Sequence, residues 1–447
     1  MKSKATHVKA PSAPAQEVNF LPSNEYDVII IGAGPVGGYL ARRLSENDMR
    51  VLLIEEHAEI GRPFQCAGLV NPSAMERIGA YDTVLSRIWG ARMYSPSGIE
   101  SKIGAEESTR TWSVCRKLFD ERVVTQALDV GADILLSSKP VEAVITESGV
   151  ELNVDVDGQL RSFSCKLLCG ADGAHSWVRR TFRMGRPKEL MIGFQVEVTG
   201  YPGEEGRLDM FTGEDIAPGF FAWAIPSGDT TRIGNWTLPE RLNGRSCEDL
   251  LVALKSSKIW KERFAECREV GRFCGPIPAG LILKPMKQRV AVFGDAAGLC
   301  KPTTGGGIGK GFDQVDLMIE GLVSALQANE FSPKVVRNLN SSLDGLRRSQ
   351  SRSRGLRNAF LTECTDEELD DIWEIWSRPD VIELIDEFGE IENPIPLGIK
   401  MLKNIPEFRR LTSKAARTLI GGCLSGSGSA NEVSTIRSLE CLPCLIT

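Results

Sequence analysis

Residues 26–56, YDVIIIGAGPVGGYLARRLSENDMRVLLIEE, change hydrophobic period twice. Val28–Ile31 is a short continuous apolar run, as a strand buried on both faces requires. Leu40, Ala41 and Leu44 then recur at helical spacing, and RVLLIE forms a second apolar run ending at Glu55. Strand, helix and strand are thus predicted in about thirty residues, the length of a βαβ unit. Two later apolar runs also lead into glycine clusters, KLLCGADGAHSWVRR at 166–180 and RVAVFGDAAGLCKPTTGGGIGKGF at 289–312. Between them the pattern switches to alternation. MIGFQVEVTG, RLDMFTG, GFFAWAIPSGD and TRIGNWTL predict an antiparallel sheet. Residues 313–350 read as a continuation of the helix after the last glycine cluster. From 351 the pattern is helical and charged, with Trp373 and Trp376 as packing residues of a helical cap.

The glycines between the first strand and helix are Gly32, Gly34 and Gly37, spaced G-x-G-x-x-G. Gly32 permits a tight turn, Gly34 lets the backbone approach a pyrophosphate, and Gly37 allows close helix–strand packing. The phosphates would sit at the helix N-terminus, where N–H groups and the helix dipole favour anions. Glu55 lies about 20 residues further on, where a carboxylate can bind ribose hydroxyls. The cluster at 301–312 is not a phosphate loop. The G-x-x-x-x-G-K-[ST] pattern would need glycine at position 304 and Ser or Thr at 311, and the chain has Thr304 and Gly311.

At 447 residues the chain exceeds one ordinary core. Its 42% hydrophobic and 25% charged content is that of a globular protein. A net charge of −6 argues against a nucleic-acid partner, because no excess of Lys and Arg tracks phosphates. No run of about 18 uncharged apolar residues predicts a membrane-spanning helix. Residues 1–25 lack an apolar signal core and read as a mobile tail. The twelve cysteines have no regular spacing and read as reduced cytoplasmic thiols, and three histidines make no metal cluster.

The three glycine segments resemble the fingerprints of FAD-dependent enzymes of the p-hydroxybenzoate hydroxylase group. The resemblance implies a Rossmann-like α/β FAD-binding domain that also carries an antiparallel substrate domain. It implies that Asp295 binds a ribityl hydroxyl or the neighbouring phosphate region, and that Gly307 and Ile308 offer backbone N–H groups near the flavin ring. Arg116, in VCRKLFDERVV, matches the arginine that the group uses near the FAD phosphates and ribose; a helix-end surface arginine is the alternative. Val141 falls where the group makes a backbone contact to adenine.

The segment FFAWAIP resembles the Tyr-x-Trp-x-Phe-Pro signature of geranylgeranyl reductases, with Phe221, Trp223, Ile225 and Pro226 in the corresponding places. Phe221 and Ile225 depart from it, and flavin halogenases carry Trp-x-Trp-x-Ile-Pro, so Ile225 is a halogenase letter. The stretch EIGRPFQCAGLVN, around Cys66 and Ala67, separates the two. It resembles the reductases' Gly-x-Pro-x-x-Cys followed by small residues, and no lysine, which a halogenase needs for catalysis, occurs between 57 and 90. The pattern PTTGGGIGKG also matches the reductases.

The reading is an FAD-dependent reductase of isolated C=C bonds in geranylgeranyl chains of isoprenoid lipids. Phe221, Trp223 and Pro226 would line the prenyl channel. Cys66 and Ala67 would lie beside FAD, with the Cys66 thiol as proton donor or as a packing group. The electron donor would be a ferredoxin, NAD(P)H, for which no local motif is present, or another donor. A monooxygenase or halogenase on the same fold and a non-catalytic prenyl-lipid carrier are the rivals.

The expected domains are a tail, 1–25; an FAD-binding domain, 26–185, lending strands near 88–113 to the substrate sheet; the substrate domain, 186–285; a returning FAD-binding segment, 286–350; a helical region, 351–422; and a disordered tail, 423–447. Residues 393–422 combine apolar side chains with six cations against Glu407. They would give a cytoplasmic protein peripheral contact with anionic lipid, or form a solvated helical face.

Overall fold

The computed structural model describes residues 23–63, 66–389 and 395–407. Five parallel strands form the centre of the first sheet, in the order Val290–Val292, Gln159–Gly170, Glu25–Ile31, Val51–Ile54, Asp133–Leu135. Val28, Ile29 and Ile30 are wholly buried, so both faces of this strand are covered. Each such side chain contributes about 2 kcal/mol by leaving water. The helix Pro35–Ser45 turns Leu40, Ala41 and Leu44 inward.

The second sheet has seven strands, in the order Arg268–Ala279, Glu189–Thr199, Thr230–Thr237, Ala222–Ser227, Arg207–Phe211, Gly90–Tyr94, Glu100–Ile103. Its pairing is antiparallel except between Arg207–Phe211 and Gly90–Tyr94. That pair is parallel because the second strand arrives from the FAD-binding segment instead of through a hairpin. Thr111–Val114 does not join this sheet; it pairs with Leu69–Val70 and Val84–Ile88 in a small third sheet.

The continuous helix expected over 313–350 is broken. Helix Ile308–Ala328 ends at Asn329, which takes the left-handed conformation (φ +48°) that asparagine tolerates. New helices start at Pro333 and Asp344, and the second runs through the expected boundary at 350 to Arg357. Trp373 and Trp376 lie with their rings 5.1 Å apart and tilted by 40°, and pack with Met93 and Met210 of the second sheet.

Only part of 393–422 is described. Helix Ile395–Asn404 buries Met401, and Ile405 beyond it is also buried, against Val381 and Ile385. These two apolar side chains therefore face protein. No helix among the described residues is long and apolar enough to cross a membrane. The tails 1–22 and 408–447, with the remaining cations of 393–422, lie outside the described residues.

Two side chains of helix Asp344–Arg357 tie it to the sheets. Gln350 accepts from the Leu281 N–H at 2.7 Å and donates to the Cys300 carbonyl at 3.2 Å. Arg357, fully buried, donates to Glu189 at 2.7 Å and to the Pro302 carbonyl at 3.2 Å. Burial pulls the Glu189 carboxyl up, but hydrogen bonds and charge from Arg357 and Arg354 outweigh this and hold it below the usual range. The pair therefore stabilises the fold above the unfolded glutamate value of about 4.3, and its contribution is lost as pH falls through the lower native value. Arg357→Met should cost about 3 kcal/mol in urea unfolding at neutral pH, with the difference from wild type shrinking on acidification through that range.

Candidate active site

The first glycine loop is built by close approach. Gly32 has φ +98°, and a Cβ there would stand 2.5 Å from the Ala171 carbonyl oxygen. A Cβ on Gly37 would stand 2.0 Å from the Gly32 carbonyl oxygen. Gly34 is different: a Cβ on it would meet nothing within 4 Å. It N-caps helix Pro35–Ser45, which has no side-chain cap and no acid in its first turn. Glu55 lies across the loop, accepting from the Ala33 N–H at 2.9 Å and from the His57 N–H at 3.1 Å.

Helix Ile308–Ala328 starts in the same way, with Gly307 as N-cap, no side-chain cap and no acid in its first turn. The two starts converge on Val36, which packs against Gly294 and Gly311. Buried Arg179 joins the other two glycine segments, donating to the Ala174 carbonyl at 2.6 Å and the Ala296 carbonyl at 2.8 Å. Gln314, fully buried, accepts from the Gly294 N–H and donates to the Val292 carbonyl. Three segments far apart in sequence thus form one cradle.

Cys66 stands at its edge, half-buried, with its sulfur accepting from the Gly68 N–H at 3.3 Å. Arg116 begins helix Arg116–Asp129. It is not a surface residue: its side chain is 15% exposed, holds Asp120 through two hydrogen bonds, and reaches the Cys66 thiol. Arg232 comes from the second sheet and donates to the Ala67 carbonyl at 2.9 Å and the Val114 carbonyl at 3.2 Å. Below lies Asp295, whose carboxylate accepts from the Cys300 thiol at 3.2 Å. Burial pushes the Asp295 carboxyl up. Burial first, then the Asp295 charge and hydrogen bond, push the Cys300 thiol well above its ordinary value.

Val141 lies on strand Ser138–Ile145, which begins where the Ser138 N–H meets the Glu55 carbonyl. Its neighbours Pro140 and Glu142 pair with Val154 and Asn153, leaving Val141 at a bulge with its backbone out of that ladder and its side chain exposed.

The second sheet roofs the cradle. Arg232, Gly234 and Trp236 alternate along strand Thr230–Thr237, so they share a face. Arg232 reaches the Cys66–Gly68 segment, and the Trp236 ring lies against Gly305. Trp223 lies on Gly234, and Phe221 meets Trp236 edge-on at 5.5 Å. Pro226, half-buried, is paired with Thr231 at the far end of the Trp223 strand.

This cradle fits FAD. Gly34 opens onto free space, two uncapped helix starts meet beside it, and Oδ1 of Asp172 is buried without a partner. A βαβ unit with these features, roofed by an apolar sheet, defines an FAD-binding flavoprotein, and the FAD binding domain family matches residues 25–200. The chain is an FAD-dependent oxidoreductase, and it is similar to curated digeranylgeranylglycerophospholipid reductases. It is 28% identical to a digeranylgeranylglycerophospholipid reductase of Methanosarcina acetivorans, over 69% of this chain and 77% of that one. It is 29% identical to an uncharacterized protein of Methanocaldococcus jannaschii, over 86% and 96%. Among solved structures, a geranylgeranyl bacteriochlorophyll reductase-like protein of Thermoplasma acidophilum superposes with a TM-score of 0.73 at 19% identity, over 85% of this chain and 99% of that one. A flavin-dependent brominase gives 0.66 at 17%, over 85% and 98%. At these identities the superpositions establish the shared fold.

Sequence reasoning missed Arg179, Arg232, Trp236, Gln314 and Gln350. A detectable signal existed for two of them. Arg232 is a charged residue at an inward position of an alternating strand, and Gln314 is a polar residue on the apolar stripe of a helix.

The glycines predict separable effects. Gly34→Ala should leave the unfolding temperature of the FAD-free protein unchanged while weakening FAD binding at least tenfold in a fluorescence titration, because its methyl enters the free space. Gly37→Ala should lower that temperature by several degrees, since a backbone oxygen must move.

Proposed function

We propose that the protein saturates isolated C=C bonds in the geranylgeranyl chains of isoprenoid ether lipids, with Cys66 as proton donor. The observation that carries this reading is the placement of the Cys66 thiol. It lies in a segment bound by Arg232 to the apolar roof, on the side where Phe221 and Trp223 offer partly exposed rings. The reductase names of the curated relatives support the same chemistry.

In this reading Gly32, Gly34 and Gly37 admit the FAD pyrophosphate to the first helix start, and Arg116 neutralises it. Glu55 takes the ribose hydroxyls and the bulged backbone of Val141 the adenine. Asp295 holds the ribityl chain, while Gly307, Ile308 and Ala67 offer backbone groups around the ring. Bound reduced FAD supplies hydride to one alkene carbon. An unpolarised alkene also needs a proton on the other carbon, and a dry apolar pocket offers no water to give it. Cys66 holds that proton at Sγ, and the rings of Phe221 and Trp223 exclude water and orient the chain. Electrons come from a ferredoxin or NAD(P)H.

The test is anaerobic. The FAD-loaded protein, reduced with dithionite, is mixed with a geranylgeranylated glycerophospholipid, and the flavin absorbance and lipid mass are followed. Flavin reoxidation with gain of two hydrogens per double bond is expected. Cys66→Ser should keep its FAD and slow that step about a hundredfold. Reoxidation only on admitting oxygen would replace the reductase with a monooxygenase. Failure to take up FAD would favour a carrier.

A further inference from the structure

The Trp223 side chain takes a position that its own strand does not dictate. Trp223, Gly234 and Gln195 are cross-strand neighbours, one on each of three adjacent strands. The indole crosses over Gly234 and donates from Nε1 to Gln195 Oε1 at 3.0 Å. A Cβ on Gly234 would stand 2.5 Å and 2.8 Å from two of its ring carbons. Only glycine therefore lets the indole lie flat on the sheet, and the buried Gln195 amide fixes its far edge.

The flat ring has a defined place over the cradle. On the Gly234 strand, Arg232 two residues before touches the Cys66 segment, and Trp236 two residues after touches Gly305. These two anchors are about 13 Å apart at the rise of a strand. The indole is laid midway between them and roofs the gap between the thiol segment and the glycine loop.

We infer that Gly234 and Gln195 are positioning residues that set the height of the prenyl slot: by holding the Trp223 indole flat they leave room for a long isoprenoid chain to pass beneath it. A raised indole would obstruct the passage, penalising a long chain that must thread through more than a short one that ends there. This rests on the prenyl-reductase reading above.

The experiment compares geranylgeranyl and geranyl forms of one glycerophospholipid on the FAD-loaded protein. Lipid affinity is read from the perturbed spectrum of oxidised flavin, and kcat and KM are measured under reducing conditions. Gln195→Leu removes the acceptor without altering backbone contacts. It should lower the geranylgeranyl-to-geranyl ratio of kcat/KM about tenfold, mainly through KM, and weaken geranylgeranyl binding to match, with FAD content unchanged. Gly234→Ala should do the same, and adding Trp223→Phe should restore the ratio, because the smaller ring clears the methyl. The added Cβ would also stand 2.6 Å from the Phe194 carbonyl oxygen. If Gly234→Ala fails to fold, Gln195→Leu decides. An unchanged ratio and affinity in Gln195→Leu, with an active wild type, would overturn the inference alone. A wild type that neither binds nor reduces either lipid would instead overturn the functional reading beneath it.

Discussion

Val36 is held against both Gly294 and Gly311, and through that contact two helices begin at one point. Since a Cβ on Gly311 would stand 2.3 Å from Val36, a side chain there would drive the helix starts apart. Their uncapped N–H groups and dipoles are oriented by the fold before any ligand arrives, so an anion meets a preformed site. The βαβ unit supplies one start and the returning chain, 273 residues later in the sequence, supplies the other. The long excursion between them is free to build a second sheet over the cradle.

That second sheet is joined to the cradle chiefly through buried polar groups. Arg232 crosses from the roof to the Ala67 carbonyl, and Arg179 crosses between two loops of the floor. Arg357 binds the sheet residue Glu189 and the loop residue Pro302 together. A guanidinium suits this work because its planar fork satisfies several carbonyls at once. Such ties also cost more when broken than apolar contacts of equal size, since the abandoned partner stays buried. The C-terminal helices therefore do more than cover apolar surface: they hold the glycine loop from behind.

The site juxtaposes groups that differ sharply in charge. Arg116 and Arg232 flank the Cys66 thiol, while the Asp295 carboxyl and the Cys300 thiol lie together where water is excluded. Burial favours the protonated forms of both Asp295 and Cys300. A cofactor with phosphates at one end and a nearly neutral ring system at the other matches this gradient, with the cations at one side and apolar rings above.

The parallel core, the glycine loop and the alternating strands were legible in the sequence because each depends on local periodicity or on conformations that only glycine adopts. Asn329 and Pro333 also carried the signal that breaks the last long helix, but helical spacing continued across them and concealed it. Motif spacing pointed to Glu55, and the resemblance to FAD-dependent enzymes pointed to Asp295 and Gly307. Tertiary structure alone decided what crosses between segments: the parallel pairing of Gly90–Tyr94 with Arg207–Phe211, the burial of Arg116, the reach of Arg232 to Ala67, and the indole lying on Gly234. A pairing partner or an arginine's target depends on which distant backbone arrives beside it. The sequence determined that a glycine loop would open a helix start of the kind that suits a dinucleotide, whereas the packing of two sheets determined what would face it.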